Sequence, residues 1–131
     1  MLPATKHLSS FLALVEPMTS EIQQLEHEIQ NSKKAVELGN ALERLFNNRD
    51  FKNIVLKGYM EQEAVRLVHL KASPEMDSPA KQAAIVRDID AIGALSGYFK
   101  EIQRQAELGK KNITFSEEAI ESIRAEELND E

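Results

Sequence analysis

The chain has 131 residues, of which 42% are hydrophobic and 29% charged, and it contains no cysteine. This length fits one domain with a modest core, and the missing cysteines exclude a disulfide framework and a thiolate metal site. Few aromatic residues (5%), five glycines and four prolines favour an aliphatic core of helices over a sandwich with many tight turns. The net charge of −6 lies entirely in residues 117–131, because residues 1–116 carry 15 acidic and 15 basic residues.

An apolar run near the N-terminus predicts a short amphipathic helix that docks on a partner. Leu8, Phe11, Leu12 and Val15 fall at i, i+3, i+4 and i+7, so a helix places them on one face. The run is far shorter than the roughly 20 apolar residues that a membrane-spanning helix needs. Pro17 is expected to end the segment. The pattern fits docking on a partner and packing on the chain's own bundle equally well.

A first long helix is predicted over about residues 20–47. Ser20 and Gln23 have the spacing of a capping box at its start. A heptad-like stripe follows, with Ser32 at an intermediate position, and it predicts a helix-binding face of Ile22, Leu25, Ile29 and Val36. The stripe changes phase after Gly39, which indicates a bend or a change of packing partner there.

Two short helices are predicted between the long ones. Residues 47–50 interrupt the helical pattern, and Asn48 or Asp50 is expected to cap the next helix. Gly58 is expected to end that helix in the left-handed conformation. Its apolar face consists of Phe51, Ile54 and Val55. The second short helix, about residues 60–72, stops before Pro74, and its apolar face consists of Met60, Ala64, Leu67 and Val68.

A second long helix is predicted over about residues 79–108. Ser78 precedes Pro79, which is a favourable cap followed by proline at the first helical position. Gly109 and two following lysines are expected to end the helix. One face is wide enough to contact two neighbours: Ile85, Ile89, Ala91, Ile92, Leu95, Tyr98, Phe99, Ile102 and Ala106. Thr114 and Glu117 then predict a separate capped helix that frays into the acidic end.

These elements predict an all-α fold. We expect an antiparallel hairpin of the two long helices, with the two short helices at the turn end and a short helix at each terminus. The expected parts are a docking segment (1–18), a helical hairpin or bundle domain (19–112) and an acidic helix with a tail (113–131). Because the apolar stripes are wider than one neighbouring helix covers, a homo-oligomer with coiled-coil contacts is predicted.

The sequence shows no pattern typical of catalysis or of metal or cofactor binding. The three histidines lie far apart, and neither a nucleophile motif nor a glycine-rich phosphate loop is present. Carboxylates such as Glu61, Glu63, Asp88 and Asp90 fall opposite the apolar stripes, where pairs at i,i+3 or i,i+4 support an exposed helix. The sequence therefore predicts a non-enzymatic protein that acts without a cofactor, a metal, a membrane or a small-molecule substrate.

Two charged regions leave alternatives open. The best basic cluster consists of Arg44, Arg49, Phe51, Lys52 and Lys57, and it would suit an accessory protein that binds single-stranded nucleic acid. The neutral body and acidic tail make nucleic-acid binding unfavourable. The tail itself suits an inhibitor of a host protein that imitates the charge of nucleic acid.

The middle of the chain resembles small helical proteins of tailed bacteriophages. The resemblance rests on residues 45–52 (LFNNRDFK), 58–59 (GY) and 63–68 (EAVRLV), together with 91–95 (AIGAL) and 98–99 (YF), and it covers about residues 38–108. Such proteins are encoded among virion-structure genes and lack an assigned activity. The resemblance implies a scaffold-like or head-associated role in particle assembly, in the host cytoplasm or the virion, with partners among its own copies and other virion or host proteins.

Overall fold

A computed structural model describes the backbone of residues 3–129 and the side chains of residues 20–129. The described chain is all-α and contains no strand. Helix α1 spans Pro3–Phe46, α2 spans Arg49–Phe51, and a π-helix spans Lys52–Glu63. Helix α3 spans Ala64–Lys71, a 3-10 turn spans Pro74–Met76, and α4 spans Pro79–Asn129. The all-α prediction is confirmed.

Helix α1 runs unbroken through the positions where the sequence predicted breaks. Pro17 does not end a first segment, and Ser20 does not begin a second one, because both lie inside the helix. An internal proline costs about 3 kcal/mol, which a long, cooperative helix can offset elsewhere along its length. Gly39 likewise lies inside α1, since one glycine costs only about 1 kcal/mol relative to alanine.

The segment after α1 begins as predicted but continues further. Asn48 caps α2, and its side-chain Oδ1 accepts a hydrogen bond from the Phe51 backbone N–H at 2.9 Å. The predicted end at Gly58 is wrong, because α2, the π-helix and α3 follow one another without a gap. A Cβ on Gly58 would lie 3.0 Å from the Asn53 carbonyl oxygen, so the glycine fits the π-helix by having no side chain. Two short helices are therefore one helical segment, 49–71.

Helix α4 starts where the sequence predicted and ends about 20 residues later than predicted. Ser78 Oγ accepts a hydrogen bond from the Lys81 N–H at 3.3 Å, next to Pro79 at the first helical position. Gly109 does not end the helix, and Thr114 does not cap a new one. The Thr114 hydroxyl instead donates to the Lys110 carbonyl oxygen at 3.2 Å within α4. Helix α4 reaches Asn129, so the acidic residues 117–127 are helical.

The chain divides into two compact units. The first comprises Met1–Val36 and Ala106–Glu131, and the second comprises Glu37–Gln105, so the division crosses α1 close to the predicted change of phase at Gly39. In the second unit Leu67, Ile85 and Ile92 form a buried cluster, with Met60, Ala64, Leu70, Met76 and Ile89 packed against it. Val68, which the sequence placed on this apolar face, is 60% exposed.

A glutamine side chain fastens the connection that precedes α4 in the second unit. Gln82 donates from Nε2 to the backbone carbonyl oxygens of Lys71 and Met76, at 2.9 and 2.6 Å. Lys81 Nζ donates to the Glu75 carbonyl oxygen at 3.1 Å. These bonds satisfy carbonyls that the end of α3 and the 3-10 turn leave without helical partners.

Candidate interaction surfaces

A close helix contact forms the seam of the first unit, where α1 meets α4 from Glu26 to Val36 on one helix and from Gly109 to Arg124 on the other. A Cβ on the buried Gly109 would lie 2.8 Å from the Ser32 carbonyl oxygen and 3.2 Å from a methyl group of Val36. Further along the seam, Arg124 forms an ion pair with Glu26 at 3.8 Å. Gly109 therefore allows the two backbones to approach closely, which is a packing function and not a helix end.

Two buried serines lie on this seam. Ser32 is 8% exposed, which confirms the intermediate seam position that its spacing predicted, and Ser116 is 1% exposed. The Ser116 hydroxyl has no hydrogen-bond partner within the described part of the chain. An unpaired buried hydroxyl weakens packing, because it gives up hydration without a replacement bond. Small and polar groups thus occupy positions that a coiled coil usually fills with leucine.

Only part of the predicted partner-binding face can be located. Ile29 is buried and Ile22, Leu25 and Val36 are half-buried, so this stripe of α1 faces the seam of its own unit. Leu8, Phe11, Leu12 and Val15 belong to α1, but their side chains lie outside the described residues. The docking role of all eight residues stays a prediction.

The outer surface of the first unit presents an exposed aromatic ring between two open grooves. Phe115 is 67% exposed. On one side lies a groove of about 420 Å³ lined by Glu28, Asn31, Ser32, Asn112, Phe115 and Ser116. On the other side lies a groove of about 390 Å³ lined by Lys110, Lys111, Thr114, Phe115 and Glu118. The sequence predicted no role for Phe115, although its spacing of seven residues from Leu108 marks a second stripe on α4.

The basic cluster lies beside packed aromatic rings in the second unit. Arg44, Arg49, Lys52 and Lys57 are exposed. Phe51 is half-buried, and its ring lies 6.1 Å from that of Phe46 and 6.0 Å from that of Phe99, measured between centroids. Because these rings pack on one another, Phe51 is poorly placed to stack on a nucleic-acid base.

The charged residues of the helices form exposed local pairs. Arg66 donates from Nε to Glu63 at 2.9 Å, and Arg104 donates from Nε to Glu101 at 2.9 Å, both at i,i+3. The hydrogen bonds from Arg104 and Gln105 lower the pKa of Glu101 from 4.5 to about 2, and the bond from Arg66 lowers the pKa of Glu63. Such pairs support an exposed helix, as the spacing predicted. Within the described residues, no group of three histidine, cysteine or acidic side chains is placed to hold a metal ion.

Large apolar side chains remain exposed in both units. The most exposed outside the seam are Leu128, Ile54, Phe115, Tyr98, Val68 and Val65, with exposed fractions between 55% and 71%. None of the helices, as far as the chain is described, has a stretch both long enough and apolar enough to cross a membrane. The described chain therefore leaves apolar surface for which its own fold provides no cover.

Comparison with known proteins identifies no relative. No family model matches the chain, and neither a curated protein nor a solved structure shows significant similarity to it.

Proposed function

We propose that the chain is a non-enzymatic helical protein that acts by binding further copies of itself and, through them, a larger assembly. The observation that carries the proposal is the exposed ring of Phe115, which is 67% exposed and lies between two grooves. Scattered apolar residues are ordinary on a protein surface, but large side chains beside grooves are typical of protein–protein contacts.

The assembly that we propose is a phage particle, in which the protein would be a scaffold-like or head-associated component. This part of the proposal rests on the resemblance of residues 38–108 to small helical phage proteins. We propose that the protein is located in the host cytoplasm or the virion.

The proposed architecture is an antiparallel hairpin of α1 and α4 with the segment 49–71 at its turn end. Two contacts within the first unit support it. Glu26 pairs with Arg124, and Ser32, which follows Glu26 in α1, contacts Gly109, which precedes Arg124 in α4. This order of contacts is that of antiparallel helices. Cysteines introduced at Glu26 and Arg124 of this cysteine-free chain should be joined by a short bifunctional reagent in dilute solution. A control pair at Glu26 and Lys110, displaced by about 21 Å along α4, should not be joined. Cross-linking of the Glu26–Lys110 pair without cross-linking of the Glu26–Arg124 pair would contradict the hairpin.

Sedimentation velocity over a wide range of protein concentrations tests the homo-oligomer. We expect the weight-average mass to rise with concentration and to approach a multiple of the 14.8 kDa chain. A strict monomer at the highest concentration would refute the proposal.

A second candidate function is inhibition of a host protein by the acidic helix. The carboxylates of Glu117, Glu118, Glu121, Glu126 and Glu127 are all exposed, so they are accessible to a basic partner. Deleting the segment would also remove the buried Ile120, so replacement of Glu117, Glu121, Glu126 and Glu127 by glutamine is the cleaner test. The inhibitor function predicts that this variant loses binding to the host protein and keeps its oligomeric state, whereas retained binding would exclude the function.

A further inference from the structure

The outer face of α4 in the first unit carries a stripe that is complementary to itself. Leu108, Lys111, Phe115, Glu118 and Ser122 follow one another at alternating spacings of three and four residues, so they share one face of the helix. All five are exposed, with Leu108 at 39% and Phe115 at 67%. The stripe thus has an apolar centre with one basic and one acidic neighbour.

The charges on the stripe are available to a partner. Lys110 forms an ion pair with Glu107 at 3.0 Å, whereas Lys111 and Glu118 form no ion pair with any described residue. Lys111 precedes Phe115 by four residues and Glu118 follows it by three. The midpoint between the two charges is therefore half a residue from Phe115, or about 0.75 Å along the helix axis.

We infer that this stripe binds the same stripe of a second copy, with the two α4 helices antiparallel and the two-fold axis close to Phe115. This inference rests on the proposed self-association and names the surface that carries it. In this arrangement Lys111 of each copy lies level with Glu118 of the other, and the two phenyl rings meet at the centre. A parallel arrangement would instead place Glu118 beside Glu118 and Lys111 beside Lys111.

The groove that Phe115 shares with Ser116 has room for part of a second copy at this position. Its floor includes Ser116, whose side chain is 99% buried by the chain's own packing and whose hydroxyl makes no hydrogen bond within the described residues. A second copy seated on Phe115 covers this groove and excludes water from the ring, as the surroundings of an interface anchor do.

Charge reversal in the full-length chain tests the inference. Lys111→Glu and Glu118→Lys should each raise the dissociation constant of the dimer about tenfold, because each replaces two attractive contacts by repulsive ones. The double variant should return to within about threefold of the wild type, and a mixture of the two single variants should form a heterodimer. Lys34→Glu, an exposed substitution on α1 that changes the net charge by the same amount as Lys111→Glu, should leave the constant unchanged. Sedimentation equilibrium measures all five samples.

Removal of the ring gives a second measurement. Phe115→Ala should raise the dissociation constant about 30-fold or more, as truncation of an aromatic anchor does. Because the ring is mostly exposed, far-ultraviolet circular dichroism should show unchanged helix content. Tyr98→Ala, which removes a comparably exposed ring in the second unit, should not change the constant.

Three results would overturn the inference, and one of them would also exclude the proposed function. In the first, the wild type associates, and Phe115→Ala and the two single reversals associate equally well. The chain then uses another surface, so the inference fails and the proposed function stands. In the second, the single charge reversals leave the dissociation constant unchanged, whereas Phe115→Ala raises it strongly. This result indicates that the two α4 helices pair in parallel. A wild type that is monomeric throughout excludes both the inference and the proposed function.

Discussion

Replacing Gly109 by alanine tests whether the seam of the first unit depends on a missing side chain. The new Cβ would lie 2.8 Å from the Ser32 carbonyl oxygen and 3.2 Å from Val36 Cγ2. Carbon–oxygen contacts in close helix packing are ordinarily about 3.3–3.6 Å, so the backbones must separate locally by roughly 0.5–0.8 Å. Because the obstructing atom belongs to the backbone, a change of rotamer cannot relieve the contact.

Two opposing contributions set the size of the effect. Alanine is favoured over glycine in a helix by about 1 kcal/mol, which raises the free energy of unfolding. Overpacking of a well-packed seam lowers it by about 1–3 kcal/mol. We therefore expect Gly109→Ala to be neutral or to lower the free energy of unfolding by up to about 2 kcal/mol.

Two other glycines of α4 provide the control. At Gly93 and Gly97 a Cβ would have nothing within 4 Å, so alanine should raise the free energy of unfolding by about 1 kcal/mol at each position. The difference between Gly109→Ala and Gly93→Ala should accordingly equal the overpacking cost. Urea denaturation followed by circular dichroism at fixed protein concentration measures it. Equal stabilisation by all three substitutions would refute the close approach at Gly109.

A double-mutant cycle locates the clash on the seam. Val36→Ala alone removes two methyl groups of the half-buried Val36 and should destabilise the unit. In the Gly109→Ala background it also removes the 3.2 Å contact, so its cost should be smaller there. Strict additivity would show that the two positions do not meet.

Three further substitutions test individual contacts. Ser116→Ala should raise the free energy of unfolding by about 1 kcal/mol in urea denaturation, because it removes an unpaired buried hydroxyl; a loss would reveal a partner for that group. Gln82→Ala should lower it by about 1–3 kcal/mol through loss of two hydrogen bonds, whereas the exposed control Gln103→Ala should change it by less than about 0.5 kcal/mol. The Glu101 side chain should titrate near pH 2 by NMR, and Arg104→Gln should move its pKa towards 4.5. Because folding lowers the pKa of Glu101, its ion pair with Arg104 stabilises the fold above about pH 4.5, and this stabilisation disappears as the pH falls towards 2. An unchanged titration midpoint of Glu101 in Arg104→Gln would contradict the pairing.

The sequence predicted the fold class and two element starts, whereas the capping boxes at Ser20 and Thr114 lie inside longer helices. The cap at Asn48 and the start at Ser78-Pro79 each need only one side chain near its own backbone, so pattern and structure agree. The predicted ends at Gly58 and Gly109 failed for a common reason. In both places a glycine was interpreted as a helix terminator, although it accommodates a backbone carbonyl, from Asn53 in one case and Ser32 in the other.

A longer repeat would have corrected the prediction for the end of α4. Ile102, Gly109, Ser116 and Ile123 recur every seven residues, and each is buried or half-buried. This repeat runs straight through the proposed terminator, but its two small members hide it from a search for large apolar residues. The closeness of Ser32 to Gly109 cannot be predicted from either helix alone, because it depends on how the two helices align.

The small residues of the seam bear on what the proposed self-association would contribute to the first unit. Unit 2 buries Leu67, Ile85 and Ile92 in one cluster, and each such side chain stabilises a fold by about 1.5–3 kcal/mol. At the seam, Ser32 and Ser116 take buried positions that contribute little apolar area. Covering the exposed Phe115 with a second copy would add apolar area to what this unit buries. Self-association through the Phe115 stripe would thus increase the buried apolar area of the first unit, and it would make the stability of that unit depend on protein concentration.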